Sequence, residues 1–321
     1  MSTAFTTLIS GAGQLGSRYL QGLAKSHIPL RIYVQDIHEE SLVRAEQRWD
    51  EVLGPKTHHD VSFHISFEPL PRHLDIAIVA TTADVRPQVV WEIANHAAVR
   101  FWVLEKVLAQ SESGLDEIVS HVGAGSSGFV NLWQRISPWH RQIKSQLGLN
   151  HPMTLKVGGG KWGLACNSVH FLDLLAWWTD EVLQEVYTDR LNPYWFEGKR
   201  RGSWEVLGTL EALFSGGSKA ILSTGEDEEA YYYIEVGDGR KSWRILVEEG
   251  IASCSDGTVI PGRYPYQSEM SAGLVESILE NGRCDLPTLA EAVAMHRVFI
   301  RSLQEHWKRV VNPAATFVPI T

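Results

Sequence analysis

The chain has 321 residues, which is long enough for about two domains of ordinary size. Its 29 Lys and Arg residues against 38 Asp and Glu residues leave a formal net charge of −9, which argues against a nucleic-acid-binding protein because such proteins normally carry a basic face. Hydrophobic residues make up 44% of the sequence and charged residues 21%, the profile of a globular protein with sizeable cores. The sequence has no apolar run of roughly 18 residues, so we expect no membrane-spanning helix.

The amino-terminal sequence has neither a basic segment nor a small-residue cleavage site, so we predict that the protein is not exported. Its three cysteines, Cys166, Cys254 and Cys284, are too few and too scattered for a disulfide framework or a metal cluster. Together these features predict a cytoplasmic protein without a metal site.

Strands and helices alternate in the first part of the chain. A predicted strand at 6–9 runs into a glycine-rich loop, and apolar residues then recur at helical spacing over 18–24. The pattern further predicts strands at 31–36, 75–80 and 100–105 and helices at 39–53 and 87–97. This alternation predicts an α/β Rossmann domain, with a doubly wound parallel sheet, over residues 1–124.

A stretch rich in turn-forming residues, 123–128, predicts a domain junction. Strand-like segments predominate after it. We predict strands at 129–134, 153–157, 208–214, 219–223, 230–236 and 242–247, and helices at 168–178, 268–280 and 289–307. This order predicts an α+β domain with a mostly antiparallel sheet over residues 125–321, which would bind substrate and form an oligomer.

Tryptophan is concentrated in the second part of the chain, where nine of the twelve residues lie at or after Trp133. Two interpretations fit this distribution. The rings could pack the sheet against helices or a partner subunit, or they could form a surface on which a sugar ring stacks.

A dinucleotide-binding pattern, G-x-G-x-x-G, spans residues 11–16 between a predicted strand and a predicted helix. Gly11 allows the tight turn, Gly13 lets the backbone approach a pyrophosphate, and Gly16 lets the helix pack on the strand. The pyrophosphate would lie at the helix N-terminus, where free N–H groups favour negative charge. Asp36 closes the second strand, where a carboxylate accepts ribose hydroxyls and repels a 2′-phosphate, so the pattern favours NAD over NADP.

Two further segments carry candidate catalytic residues. Lys106 follows the apolar strand that ends at Glu105, at the sheet edge where open α/β folds bind ligands. An amine at this edge can take a proton from a substrate hydroxyl. His170 follows a glycine-rich run, and Asp173 lies three residues later on the same side of a predicted helix. We expect that helix to begin near Asn167 or Ser168, with His170 in its first turn.

Taken in order, these segments resemble the Gfo/Idh/MocA oxidoreductases, which include glucose–fructose oxidoreductase and inositol dehydrogenase. The resemblance covers nearly the whole chain and includes the further segments 131–138, 266–270 and 284–287. It implies an NAD-dependent oxidoreductase that transfers hydride between a nicotinamide and a secondary hydroxyl of a sugar, cyclitol or nucleotide sugar. It also implies a homodimer or homotetramer.

The resemblance assigns roles to individual residues. Lys106 matches the catalytic lysine, His170 would hydrogen-bond the same oxygen or relay the proton, and Asn167 would orient the substrate. The implied substrate-binding residues are Arg135, Trp162 and Cys166. The implied cofactor-binding residues are Gly11, Gly13, Gln14, Leu15, Gly16, Asp36, Thr81, Thr82 and Glu105.

The chain departs from the family pattern at two of these places. The family has a proline after the lysine and an aspartate four residues before the histidine, whereas this chain has Val107 and Cys166. With these departures the chain resembles family members associated with surface-polysaccharide synthesis.

Two other functions remain open. One is a non-redox enzyme that uses NAD transiently and releases no net NADH. The other is a catalytically silent NAD-binding sensor or assembly subunit, as the two departures suggest.

Overall fold

The structure, a computed structural model, describes residues 4–52, 58–123, 125–147, 151–229 and 231–321. The chain divides into two compact units. Unit 1 comprises Met1–Ala109, Ser113–Asn131 and Pro265–Ala290, and unit 2 comprises Gln110–Glu112, Leu132–Tyr264 and Glu291–Thr321.

The secondary structure follows the chain in this order. The elements up to residue 144 are β1 (Phe5–Ser10), α1 (Gln14–Leu23), β2 (Leu30–Gln35), α2 (Glu39–Asp50), β3 (Asp60–His64), β4 (His73–Val79), α3 (Arg86–His96), β5 (Ala98–Leu104), α4 (Glu112–Val122), β6 (Ser127–Val130), a 3₁₀ helix (Trp133–Ile136) and α5 (Pro138–Lys144). The later elements are β7 (Thr154–Gly159), α6 (Leu164–Thr179), β8 (Leu183–Glu197), β9 (Trp204–Phe214), β10 (Lys219–Thr224), β11 (Tyr232–Gly237), β12 (Ser242–Leu246), β13 (Ile251–Cys254), β14 (Val259–Pro261), α7 (Gln267–Asn281) and α8 (Leu289–Val310).

Unit 1 contains a six-stranded sheet in the order β3-β2-β1-β4-β5-β6, in which all neighbouring strands are parallel. Its central strands are apolar and buried, with Leu8, Ile76 and Val103 fully inaccessible to solvent. The strand order reverses between β1 and β4, and the carboxyl ends of strands at such a reversal border the ligand crevice of open α/β sheets. The predicted doubly wound parallel sheet is confirmed.

Helix α7 packs against α1 within unit 1, although it lies far along the chain. A Cβ atom on Gly22 would lie 2.7 Å from the carbonyl oxygen of Ser268 and 2.7 Å from the Cβ atom of Ser271, so only glycine permits this close approach. The sequence predicted one boundary at residue 124, but the chain returns to unit 1 at 265–290. Residue 124 itself lies outside the described residues.

Unit 2 contains an eight-stranded sheet in the order β14-β13-β12-β11-β7-β10-β9-β8, and only the β7–β10 pair is parallel. The predicted mostly antiparallel sheet is therefore confirmed. Helix α6 packs on one face, and the row of residues that crosses this face is buried: Val186, Ala212, Ala220, Leu155, Val236 and Trp243. The neighbouring row points to the other face and is partly or fully exposed: Tyr187, Glu211, Ile221, Lys156, Glu235 and Arg244.

Several predicted bounds differ from those observed. The predicted strand 129–134 is too long, because β6 ends at Val130 and a 3₁₀ helix begins at Trp133. The final residue of the predicted helix 39–53 and the first residue of the predicted strand 230–236 lie outside the described residues. Within the described ranges, no helix combines the length and the apolar character needed to cross a membrane.

Candidate active site

The glycine loop between β1 and α1 has the close contacts that its sequence predicts. Gly11 has a φ of +90°, and a Cβ atom there would lie 2.9 Å from the backbone nitrogen of Thr81. A Cβ atom on Gly16 would lie 1.7 Å from the carbonyl oxygen of Gly11. Gly13 differs, because a Cβ atom there would meet no atom within 4 Å. Two glycines therefore permit the turn and its packing, while Gly13 faces open space.

The N-terminus of α1 fits an anionic ligand. Gly13 precedes the helix, its first turn has no acidic residue, and no side chain among the described residues accepts a hydrogen bond as a cap from the first N–H groups. Free N–H groups and the helix dipole favour a phosphate at such a position. The side chain of Gln14 is held by Arg48, whose Nη2 donates to Gln14 Oε1 at 2.6 Å, and Leu15 is half-buried beside it. The loop and the helix end together fit the pyrophosphate of a dinucleotide.

Asp36 lies beside this loop, directly after β2. Its Oδ2 accepts a hydrogen bond from the backbone N–H of Ala12 at 2.7 Å, and its Oδ1 accepts one from the N–H of His38 at 2.9 Å. These two bonds fix the carboxylate next to the glycine loop. Each carboxylate oxygen retains a further lone pair, so the group can also accept ribose hydroxyls.

The loops after β4 and β5 lie at the same edge of the sheet. Thr81 and Thr82 follow β4, and Lys106 is half-buried two residues after β5. The peptide bond between Lys106 and Val107 is cis.

Glu105 is buried next to Lys106, and its carboxylate accepts hydrogen bonds from two other side chains. Tyr19 donates its hydroxyl to Glu105 Oε1 at 2.7 Å, and Asn131 Nδ2 donates to the same oxygen at 2.6 Å. Burial, reinforced by the Glu105 carboxylate, raises the pKa of Tyr19 well above its ordinary value, so the phenol stays a hydrogen-bond donor. Sequence reasoning gave neither Tyr19 nor Asn131 a role, although Asn131 begins the segment 131–138, because their shared partner Glu105 is distant from both in the sequence.

In unit 2, the N-terminus of helix α6 is capped by a residue from strand β9. Glu205 of β9 is buried, and its carboxylate accepts hydrogen bonds from the backbone N–H groups of Ala165 at 2.8 Å and Cys166 at 3.1 Å. The helix begins at Leu164, after Gly163 in the left-handed region, so the predicted start near Asn167 is wrong. The cap comes from about forty residues along the chain, and no local pattern reveals it.

His170 consequently lies in the second turn of α6 rather than the first. It is buried, and the ring of Trp133 meets it edge-on at a centroid distance of 5.9 Å. Asn167 Nδ2 donates to the carbonyl oxygen of Trp162 at 2.7 Å. The Trp162 ring is buried and packs against Phe171, which favours the core-packing interpretation for this tryptophan.

Arg135, predicted to bind substrate, already pairs with a carboxylate of its own chain. Its Nε and Nη2 donate to the two oxygens of Asp173 at 2.7 and 2.6 Å, and both side chains are largely buried. Burial raises the pKa of Asp173 to about 6, although the guanidinium opposes the shift. The planar fork of Arg135 is therefore engaged in this pair.

Within unit 1 the structure brings together several residues predicted to bind the cofactor, since Gly11 lies against Thr81 and Asp36 accepts a hydrogen bond from Ala12. Lys106 belongs to unit 1, whereas Asn167 and His170 belong to unit 2. Across the described residues, no cluster of three or more His, Cys, Asp or Glu side chains could hold a metal ion.

Neither a protein-family sequence model nor a curated protein sequence matches this chain. Solved structures do match. The UDP-N-acetylglucosamine 3-dehydrogenase GnnA from Acidithiobacillus ferrooxidans is 16% identical and aligns with a TM-score of 0.69 over 97% of this chain and 99% of its own. The scyllo-inositol dehydrogenase from Lactobacillus casei, solved with NAD(H) and scyllo-inositol, is 15% identical, with a TM-score of 0.67 over 96% and 98%.

A structure of another class is equally similar. The transcriptional regulator Gal80p from Kluyveromyces lactis is 15% identical to this chain, with a TM-score of 0.69 over 95% of this chain and 93% of its own. At these identities the matches establish a shared fold across both units.

Proposed function

We propose that this chain, which has the fold of the Gfo/Idh/MocA oxidoreductases, is an NAD-dependent oxidoreductase that acts on a secondary hydroxyl of a sugar, cyclitol or nucleotide sugar. The observation that carries the proposal is the glycine loop with an uncapped helix end and a carboxylate, Asp36, bonded to the loop. The substrates and cofactor named for the two similar dehydrogenases support the same reaction class.

The cofactor would be held by residues of unit 1. The N–H groups at the start of α1 would bind the pyrophosphate, Gly13 would leave room for it, and Asp36 would accept the adenosine ribose hydroxyls. Thr81 and Thr82 would contact the cofactor at the end of β4. Bound NAD would supply the acceptor for the two electrons removed from the hydroxyl carbon.

Proton transfer would fall to Lys106. Its amine would accept the substrate hydroxyl proton as a general base, which accelerates such reactions by about 10²–10⁴-fold. Asn167 would orient the substrate, and His170 would hydrogen-bond the reacting oxygen or relay the proton. Glu105, fixed by Tyr19 and Asn131, would anchor the backbone next to the lysine.

We further propose a cytoplasmic homodimer or homotetramer. The three cysteines are free thiols, which is usual in a reducing compartment. The exposed row of the eight-stranded sheet combines charged residues with Tyr187, which is 42% exposed, and tyrosine is enriched in protein–protein interfaces. Light scattering that gives a monomer mass at micromolar concentration would exclude this assembly.

Binding of NADH is the first test of the proposal. The Gly13→Ala variant should fold normally, because its Cβ atom meets no atom within 4 Å, and should lose NADH affinity because that space is reserved for the cofactor. Gly273→Ala is a matched control, since Gly273 of α7 is equally open and lies outside the loop. If fluorescence titration shows equal NADH affinity for both variants, the glycine loop is not the cofactor site.

Turnover is the second test. Wild-type protein should release NADH with at least one member of a panel of cyclitols, free sugars and nucleotide sugars. Substrate conversion without net NADH release would instead indicate a non-redox enzyme that uses NAD transiently.

A second candidate function is an NAD-binding regulator without catalysis, and the likeness to the transcriptional regulator Gal80p favours it. Cys166, at a position where the resembling family carries an aspartate, favours it as well. This candidate requires tight NADH binding together with no turnover of any sugar in the panel.

A further inference from the structure

Arg86 is a buried cation that the proposed reaction has not used. It is the first residue of α3, and only 1% of its surface is exposed, which makes it one of the largest fully buried side chains of unit 1. Charged side chains are almost never buried in this way unless they are paired, because losing the water around a charge costs several kcal/mol. The groups that accept hydrogen bonds from Arg86 therefore indicate the role of this side chain.

The guanidinium of Arg86 binds backbone carbonyl groups from two different loops. Nη1 donates to the carbonyl oxygens of Val107 and, at 3.1 Å, Leu108. Nη2 donates to the carbonyl oxygen of Thr81. The backbone N–H of Arg86 adds a bond to the carbonyl oxygen of Thr82 at 3.1 Å. One side chain thus joins the loop after β4 to the loop after β5.

These loops extend beyond the hydrogen-bonded sheet. The paired register of β4 and β5 ends at Val79 and Leu104, and one more bond runs from the N–H of Glu105 to the carbonyl oxygen of Val79 at 3.1 Å. Beyond Glu105, the two chain segments are joined by the hydrogen bonds of the Arg86 guanidinium. The first segment contacts Gly11 of the glycine loop through Thr81, and the second begins at Lys106.

We propose that Arg86 is a positioning residue that fixes the loop after β5, and with it Lys106, against the cofactor-binding loop after β4. The catalytic consequence of this inference rests on the proposed function, whereas the contacts of Arg86 do not depend on that function. The geometry requires arginine, because a planar fork presents several donors at fixed spacing, whereas a lysine ammonium is a single point that cannot span both loops.

Local hydrogen exchange tests the structural part without cofactor or substrate. In Arg86→Lys, which keeps the charge, amides of 81–84 and 106–110 should exchange at least about tenfold faster, while those within β4 and β5 keep their rates. Arg72→Lys is the matched control, since exposed Arg72 also donates to a carbonyl oxygen, that of His96 at 3.0 Å, next to the amino end of β4. It should leave both loops unchanged.

The wild-type protein supplies a second measurement that needs no variant. Because one side chain holds both loops, segments 81–84 and 106–110 should open together, with the same dependence of their exchange on denaturant concentration. Independent opening of the two segments would overturn the inference. Faster amide exchange throughout unit 1 in Arg86→Lys would also overturn the inference. That result would mean that Arg86 contributes to the overall stability of unit 1 and not specifically to the two loops.

Kinetics test the positioning role. Arg86→Lys should lower kcat by about ten- to a hundredfold, because small displacements of catalytic groups have effects of this size. The KM for the substrate should change by less than about threefold. A variant with faster loop exchange and unaltered kcat would refute the positioning of Lys106. If wild-type protein binds no NADH, the proposed function fails, while the exchange experiments still decide whether Arg86 joins the loops.

Discussion

The proposed preference for NAD over NADP provides a quantitative test of the proposed cofactor site, through the variant Asp36→Ser. The Asp36 carboxylate is held by the N–H groups of Ala12 and His38 at 2.7 and 2.9 Å, so it cannot swing away from a ligand without breaking both bonds. Serine removes the negative charge but keeps an oxygen that can accept the bond from Ala12. The substitution therefore tests the charge rather than the loop conformation.

The expected size of the effect follows from Coulomb's law. A 2′-phosphate carries nearly two negative charges, and at about 5 Å from a carboxylate in surroundings as polar as water it is repelled by about 1.7 kcal/mol. Physiological salt, with a Debye length of about 8 Å, leaves about 0.9 kcal/mol of this repulsion. NADPH also lacks the 2′-hydroxyl that would donate to Asp36, a hydrogen bond worth about 0.5 kcal/mol or more, so the total is about 1.4 kcal/mol, or a tenfold difference in Kd. Wild-type protein should thus bind NADH about tenfold more tightly than NADPH, and Asp36→Ser should bind the two about equally.

Fluorescence titration of both cofactors, at two salt concentrations, measures this directly. Asp60→Ser is a suitable control, because Asp60 is an exposed aspartate at the start of β3 and the substitution makes the same change in net charge. The control should keep the tenfold preference. Equal affinities of wild-type protein for NADH and NADPH would refute the role given to Asp36.

Three further predictions concern catalysis, the glycine loop and pH. Lys106→Ala should lower kcat by about 10²–10⁴-fold and leave NADH affinity nearly unchanged, and Lys106→Arg should be almost as inactive because a guanidinium does not release its proton near neutral pH; a variant that keeps more than about a third of wild-type kcat would exclude the lysine as the base. Gly16→Ala should lose both NADH binding and thermal stability, because its Cβ atom would lie 1.7 Å from the carbonyl oxygen of Gly11, and a fully stable variant in thermal denaturation would contradict the contact. Burial lowers the pKa of His140 to about 3, so below pH 6.5 the unfolded chain takes up a proton that the folded chain does not, and stability falls with decreasing pH at about 1.4 kcal/mol per unit. Urea denaturation at pH 7 and pH 5 should therefore show a loss for wild type that is about 2 kcal/mol smaller in His140→Gln, and an equal loss in both would show that His140 is charged when folded.

Much of the fold was predictable because its signals are local. The glycine loop, the apolar run of β4 and the regular alternation of strands and helices are all short-range patterns, and the structure confirms the parallel sheet that they predict. Strand β8 was missed although it has 15 residues, because polar residues interrupt its apolar positions and one face is exposed. Strand β3 was missed for a similar reason, since it is a five-residue edge strand without a fully buried residue.

The candidate site was less predictable wherever it depends on partners distant in sequence. Arg135 has the features of a ligand-binding residue, yet its guanidinium pairs with Asp173, 38 residues away. The cap on α6 comes from Glu205, and without it the sequence suggested a later helix start at Asn167. Arg86 received no role from the sequence, because the carbonyl groups that it binds belong to loops that come together only in the folded chain.

The return of the chain to unit 1 has a consequence for its synthesis. Helix α7 contributes buried residues such as Leu274 and Ile278 to the layer that covers α1, and Gly22 has no side chain to fill the space if α7 is absent. A ribosome that has released only the first 131 residues has therefore produced all six strands of the parallel sheet but not helix α7, which packs against α1. Unit 1 is completed only after residue 290 has emerged, so a fragment that ends at residue 131 should expose apolar surface and aggregate.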